Sequence, residues 1–166
     1  MTLSFLARYF LMGAILMSLA AFTAPDSRAE PSDVPRFMSL SASKVNMRVG
    51  PGKRYPILWV FERSGWPVEV IAEYDRWRKV RDVDGTTGWV HKRLLSKRRT
   101  IVVTAKRQSL YEDPDTTSSV LLLAEPGVQG RLLDCDGQWC QVDIAGNEGW
   151  LKASNFYGVL ENEKIR

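Results

Sequence analysis

Trp77-Arg78-Lys79-Val80-Arg81-Asp82-Val83-Asp84-Gly85-Thr86-Thr87-Gly88-Trp89-Val90 reads as two short β-rich runs joined by a tight turn. Trp77 to Val80 pairs an aromatic and a β-branched residue with two cations, a pattern that suits a half-buried strand. Asp84-Gly85 is a two-residue turn signal, because glycine takes the positive φ that such turns need. Gly88-Trp89-Val90 then opens the next strand. Upstream, Val68-Glu69-Val70-Ile71 is another β-rich run, and Tyr74-Asp75-Arg76 separates it from Trp77, so the two make a hairpin. Before that, Asn46-Met47-Arg48-Val49-Gly50-Pro51-Gly52 leads into an irregular loop that ends at a strand from Ile57 to Phe61. His91 to Leu95 reads as one helical turn that closes the unit.

The pattern then repeats. Asn46 to Gly52 aligns with Ser109-Leu110-Tyr111-Glu112-Asp113-Pro114-Asp115, and Val68 to Ile71 with Gly130-Arg131-Leu132-Leu133. Trp77 to Val80 aligns with Trp139-Cys140-Gln141-Val142, and Gly88-Trp89-Val90 with Gly149-Trp150-Leu151. The offset drifts from 63 at Pro51 and Pro114, to 62 at Trp77 and Trp139, to 61 at Trp89 and Trp150. Such drift belongs to loops, where single deletions are tolerated. A period this long suits a whole small domain rather than a solenoid unit. No amphipathic helix of ten or more residues is legible after residue 30, and Gly 12, Pro 8 and Trp 6 fit short strands with tight turns. The expectation is an all-β chain of two tandem small barrels after an N-terminal signal-peptide helix.

Arg8 begins that leader, and a mostly apolar run from Phe10 to Phe22 follows. Ser27-Arg28-Ala29 puts small residues at the positions that a signal peptidase reads, so cleavage is expected between Ala29 and Glu30. The apolar run is short against the roughly 20 residues of a membrane span. The alternative is a leader retained as an anchor; after cleavage no stable membrane span is expected. The expected division is 1–29 signal peptide, 30–38 leader, 39–96 first barrel, 97–103 linker start and first strand, 104–157 second barrel and 158–166 polar tail. Removing residues 1–29 leaves 21 basic and 18 acidic residues, a charge of +3. That mild bias fits an anionic surface, and with export it argues against nucleic acid as a partner. The expected location is the periplasm or the exterior.

Asn46-x-Arg48-x-Gly50-Pro51-Gly52, Pro67-Val68-Glu69-Val70, Trp77-x-x-Val80 and Asp84-Gly85-x-x-Gly88-Trp89-Val90 resemble, in order and spacing, the bacterial SH3-like family. The resemblance covers nearly all of residues 40–95 and, more loosely, 105–157. The second copy departs at its front, where Tyr111-Glu112-Asp113-Pro114 replaces the Arg-x-Gly-Pro element. The resemblance implies SH3-like β-barrels that bind peptides or cell-wall material, often as targeting modules beside catalytic domains. It places Arg48 in a loop on the family's binding side.

The candidate ligand-binding residues are Asn46, Arg48, Tyr55, Trp59, Trp66, Trp77 and Trp89. Arg48, with Asn46 and Tyr55, can hold a carboxylate through paired donors, or it can pin its own loop. Tyr55, Trp59 and Trp66 occur only in the first copy, whose counterparts are Ser118, Leu122 and Val128, so they mark either a site or an inter-domain contact. Trp77, Trp89, Trp139 and Trp150 recur in both copies. Their first explanation is a small core, to which a buried aromatic contributes about 2–3 kcal/mol; a half-exposed ring for stacking is the other. Lys92, Arg93, Lys97, Arg98 and Arg99 form a basic patch at the linker, either a solvated face or an attractor for anionic envelope material.

Catalysis has little to draw on. His91 is the only histidine, so any Ser-His or Cys-His arrangement must use it. Cys135 and Cys140 lack the C-x-x-C spacing of redox and zinc sites, and no metal or other cofactor is implied. They flank a hairpin tip at Asp136-Gly137-Gln138-Trp139, where opposed strand residues come close enough for a disulfide in an oxidising compartment; two free thiols are the alternative. Three functions compete. The first is a non-enzymatic exported module for peptidoglycan or an envelope peptide. The second is an adaptor docking on another envelope protein by a sheet edge or aromatic patch. The third is a cell-wall hydrolase.

Overall fold

The computed structural model describes residues 33–104 and 106–166. The expected leader and its cut between Ala29 and Glu30 lie outside the described residues. Seven strands make the first sheet: β1 (Arg36–Leu40), β2 (Val45–Arg48), β3 (Ile57–Phe61), β4 (Pro67–Tyr74), β5 (Trp77–Arg81), β6 (Thr87–His91) and β7 (Leu95–Ser96). Seven more make the second: β8 (Thr100–Val103), β9 (Gln108–Tyr111), β10 (Val120–Ala124), β11 (Gln129–Cys135), β12 (Trp139–Ile144), β13 (Asn147–Lys152) and β14 (Phe156–Tyr157). The first sheet runs β3-β2-β6-β5-β4-β1-β7 and the second β10-β9-β13-β12-β11-β8-β14, the same order moved along by seven. All pairings are antiparallel. The expected all-β class and tandem SH3-like architecture are what the chain adopts. A single 3-10 turn, Lys92–Leu94, joins β6 to β7, and Ala153–Asn155 does the same in the second copy.

Each sheet wraps its own core. Val45, Met47, Val68, Val70, Val80 and Val90 fill the first, with Leu40 and Phe61. Ile101, Leu110, Leu132, Val142, Ile144 and Leu151 fill the second. No tryptophan is in the fully buried set, which corrects the core reading of Trp77, Trp89, Trp139 and Trp150. The reason is strand parity: residues an odd number apart face opposite sides. Val80 and Val90 point inward, so Trp77 and Trp89 point outward. The Gly-Trp signal follows from the same geometry. A Cβ on Gly88 would lie 2.5 Å from Met47 Cγ, and one on Gly149 would lie 2.8 Å from Leu110 Cγ. Glycine leaves the space that the facing core side chain occupies.

The two copies clamp the same hairpin by different chemistry. Cys135 and Cys140 lie opposite each other on β11 and β12 with Cα atoms 4.1 Å apart, and they are disulfide-bonded, as expected. At the corresponding positions of the first copy, Glu73 and Arg78 form an ion pair at 3.0 Å, and Arg36 also pairs with Glu73. Only Lys97–Arg99 separates β7 from β8. The barrels contact each other through Thr100 Oγ1 donating to Gly65 O (2.7 Å), Tyr157 Oη donating to Arg81 O (2.7 Å) and an edge-to-face contact of Phe37 with Tyr157. The described residues form one compact unit.

The segment expected as a polar tail lies along the second barrel. Arg99 holds Glu163 through two hydrogen bonds, 2.6 and 2.9 Å, and donates to Gly158 O at 2.8 Å. Ile165 and Cys135 exchange both backbone hydrogen bonds at 3.0 Å. Val159 and Ile165 pack against the second core, which gives this mostly polar segment its apolar anchors.

Candidate functional site

The outer face of β2, β6 and β5 gathers four of the candidates. Trp89 is paired with Arg48 on one side and Lys79 on the other, a row across three strands. Asn46 lies two residues before Arg48 and shares its face. Trp77 is paired with His91, and the rings meet edge to face with centroids 5.4 Å apart. All of these side chains are half-buried.

Arg48 is committed to its own loop. Its Nη1 donates to Tyr55 O at 2.7 Å. The loop is closed further by Val49 N–H to Pro56 O (3.1 Å) and Tyr55 N–H to Gly52 O (3.2 Å). The Tyr55 ring lies over Gly50, where a Cβ would come within 2.5 Å of it. Arg48 and Tyr55 therefore shape the loop, and Arg54 stands 5.3 Å from the Tyr55 ring centroid.

Trp59 and Trp66 sit elsewhere. Trp59 is on the edge strand β3 and is 57 % exposed. Trp66 packs against the first core and donates its indole N–H to the buried Asp82 carboxylate at 2.8 Å. Both rings line a shallow groove with Val60–Arg63, away from the Arg48–Trp89–Lys79 row.

The feature that sequence reasoning missed is the setting of His91. Partial burial pushes its pKa below the ordinary value, and the charges of Arg93, Arg76, Lys53 and Lys92 push in the same direction. Its Nδ1 accepts the Arg93 backbone N–H at 3.3 Å. The four cations come from three separate segments. Among the described residues none of the four is in an ion pair. The expected linker patch is thereby split: Lys92 and Arg93 join Lys53 and Arg76, whereas Arg99 is bound to Glu163. The available signal was the β5–β6 register, which sets His91 opposite Trp77 and brings the Arg76 turn beside Lys92.

The second copy turns the same face to other uses. Its counterparts of Lys53, Arg76, Lys92 and Arg93 are Thr116, Gln138, Ala153 and Ser154. Tyr111 replaces Arg48 and meets Trp139 edge to face at 5.8 Å, and Lys152 replaces His91 with its ammonium 5.5 Å from the Trp139 ring centroid. The neighbouring loop carries Glu112, Asp113 and Asp115.

Among the described residues no cluster of three His, Cys, Asp or Glu side chains could hold a metal ion, and no helix is long and apolar enough to cross a membrane. No curated protein matches the chain in sequence. Two solved structures from Trichomonas vaginalis are similar to it, NlpC2 at 14% identity and NlpC1 at 15%. NlpC2 aligns over 74% of this chain and 47% of its own, with a TM-score of 0.35. NlpC1 aligns over 78% of this chain and 48% of its own, also with a TM-score of 0.35. The chain thus spans about half the length of these structures, and nothing about activity passes from them at that similarity. The bacterial SH3 domain pattern matches twice, at residues 41–97 and 104–158, one match to each sheet, and the chain belongs to the bacterial SH3 domain family.

Proposed function

We propose that this chain is an exported, non-enzymatic binding protein whose first barrel holds carboxylate-bearing envelope material, peptidoglycan or an envelope peptide, on the outer face of β2, β6 and β5. One observation carries the reading: the charges of Lys53, Arg76, Lys92 and Arg93 all act on His91, whose ring meets Trp77, and among the described residues none of the four is in an ion pair. Unpaired cations beside an aromatic platform suit a ligand with carboxylates and an apolar or sugar surface. Asn46, Arg48 and Trp89 complete the face, with Arg48 and Tyr55 holding its loop in shape. Family membership supports a binding role. The disulfide supports export, since such bonds persist in oxidising compartments. The leader ending at Ala29 is the proposed export signal, and mass spectrometry of the mature N-terminus should find Glu30 first.

For hydrolysis, His91 would need a nucleophile and an orienting carboxylate. Its ring instead meets Trp77, its Nδ1 accepts Arg93 N–H, and cations surround it. The adaptor reading has one observation in its favour. Edge strand β3 exposes Ile57 (48 %), Leu58 (46 %) and Trp59 (57 %), a surface that an added strand could cover.

Co-sedimentation with purified peptidoglycan tests the proposal. Arg76→Gln with Arg93→Gln should weaken binding several-fold at low salt, and raising the salt should weaken the wild type likewise, because exposed charges are screened within about 10 Å at 0.1 M. Folded variants that sediment like wild type would overturn the assignment of the face. A wild type that does not sediment at all would transfer the lead to docking through β3.

A further inference from the structure

The second barrel carries a cleft of about 730 Å³ on the face corresponding to Trp77 and His91. That is within the range of small-ligand sites. Trp139 lies in it, between the loop Pro114–Thr116, the hairpin tip at Gly137 and Gln138, and the turn Lys152–Ser154. The remaining wall is the C-terminal segment 159–162. This wall has no counterpart in the first copy, where the chain passes from β7 through Lys97–Arg99 directly into β8.

The wall is built in. Arg99 and the Leu160 N–H both hold the Glu163 carboxylate, and the Ile165–Cys135 bridge anchors the chain end. Gly137 has φ +105°, and a Cβ there would lie 3.3 Å from Asn162 O, so glycine lets the segment approach the hairpin tip. The Cys135–Cys140 disulfide flanks that tip and ties the same hairpin.

Charge of both signs faces this space without internal neutralisation. Lys152 stands over Trp139, and Glu161 lies in the C-terminal wall. Among the described residues neither is in an ion pair, so these charges lie more than 4.0 Å from any opposite partner. Asp115, also in the lining, is held as a carboxylate by the Thr117 N–H (2.9 Å) and hydroxyl (2.8 Å). A cleft lined by an ammonium, two carboxylates and an indole is complementary to a ligand that carries charge of both signs and an apolar part.

We infer that this cleft binds a short peptide carrying both a free carboxylate and a free amine, the carboxylate toward Lys152, the amine toward Glu161 and Asp115, and the apolar part against Trp139. The residues and charges of this cleft are separate from those of the first barrel's face, so either site can fail alone.

The test is a titration of the full mature chain with the free tetrapeptide alanyl-glutamyl-lysyl-alanine and with its form acetylated at both amines and amidated at both carboxyls, following indole N–H resonances by NMR. The free peptide should shift Trp139 in a saturable way, with a midpoint independent of any shift at Trp77. The capped peptide should bind at least tenfold more weakly. Lys152→Gln and Glu161→Gln, both at exposed positions, should each weaken the free peptide, and Glu163→Gln should weaken it by loosening the wall. Arg76→Gln should change nothing here, although it disturbs the first barrel's face. Equal binding of capped and free peptides, or no movement of Trp139 up to millimolar free peptide, would overturn the inference.

Discussion

Replacing the glycine of each Gly-Trp pair by alanine perturbs the two barrels unequally, and the structure says which suffers more. At Gly88 the added Cβ meets Met47 Cγ at 2.5 Å and Sδ at 2.9 Å, with the Arg48 carbonyl oxygen at 3.0 Å. Methionine is flexible and can move aside. At Gly149 the Cβ meets the Tyr111 carbonyl oxygen at 2.7 Å, Leu110 Cγ at 2.8 Å and Leu121 Cδ1 at 2.9 Å. A backbone oxygen can withdraw only if the β9–β13 pairing shifts. Overpacking costs roughly 1–3 kcal/mol, against a gain of about 0.5–1 kcal/mol from the stiffer unfolded chain. Net of that gain, Gly88→Ala should lose about 1 kcal/mol, and Gly149→Ala about 2 kcal/mol, its overpacking cost being near the top of the range. Urea unfolding followed by far-ultraviolet circular dichroism reads both. Met47→Leu should couple to Gly88→Ala by at least about 0.5 kcal/mol in a double-mutant cycle and should not couple to Gly149→Ala. Gly149→Ala as stable as wild type, or an absence of coupling between Met47 and Gly88, would refute this account of the Gly-Trp signal.

The unreduced, unfolded mature protein should present no reactive thiol, and Cys135→Ser with Cys140→Ser should cost about 2 kcal/mol in urea unfolding, the chain-entropy value for so short a loop. Burial raises the Glu163 pKa, but the hydrogen bonds from Arg99 and Leu160 N–H outweigh it and hold the carboxyl below its ordinary range. The stability this contributes is present above the unfolded glutamate value of about 4.3 and is lost as pH falls through the lower folded value. The protection factor of the Ile165 amide, its exchange rate relative to the unfolded chain at the same pH, should therefore fall at acid pH, and Glu163→Gln should remove that pH dependence. His91 should titrate below its ordinary 6.5 by NMR. Arg93→Gln should move it upward, because a repelling charge is gone; an unchanged His91 would place the cation cluster elsewhere.

Strand composition, Asp-Gly turns and a repeat near 60 residues were enough to read an all-β tandem from the chain alone. These signals are local, set by φ preferences and side-chain alternation within a few residues. The disulfide was legible for the same reason, since its cysteines flank one hairpin tip. The role of the tryptophans was not, because parity along a strand does not say which face is inward until the opposing strands supply Met47, Val80 and Val90. Arg48 offered a donor fork in the sequence, and only the folded loop showed that fork pointed at Tyr55 O. The cation cluster needed three segments, far apart in the chain, to converge on His91, and the wall of the second cleft needed Arg99 to meet Glu163 across 64 residues. Local propensity determines the elements; which side chains share a face, and which charges remain unpaired, depends on strand register and long-range contact, and only the tertiary structure decides those.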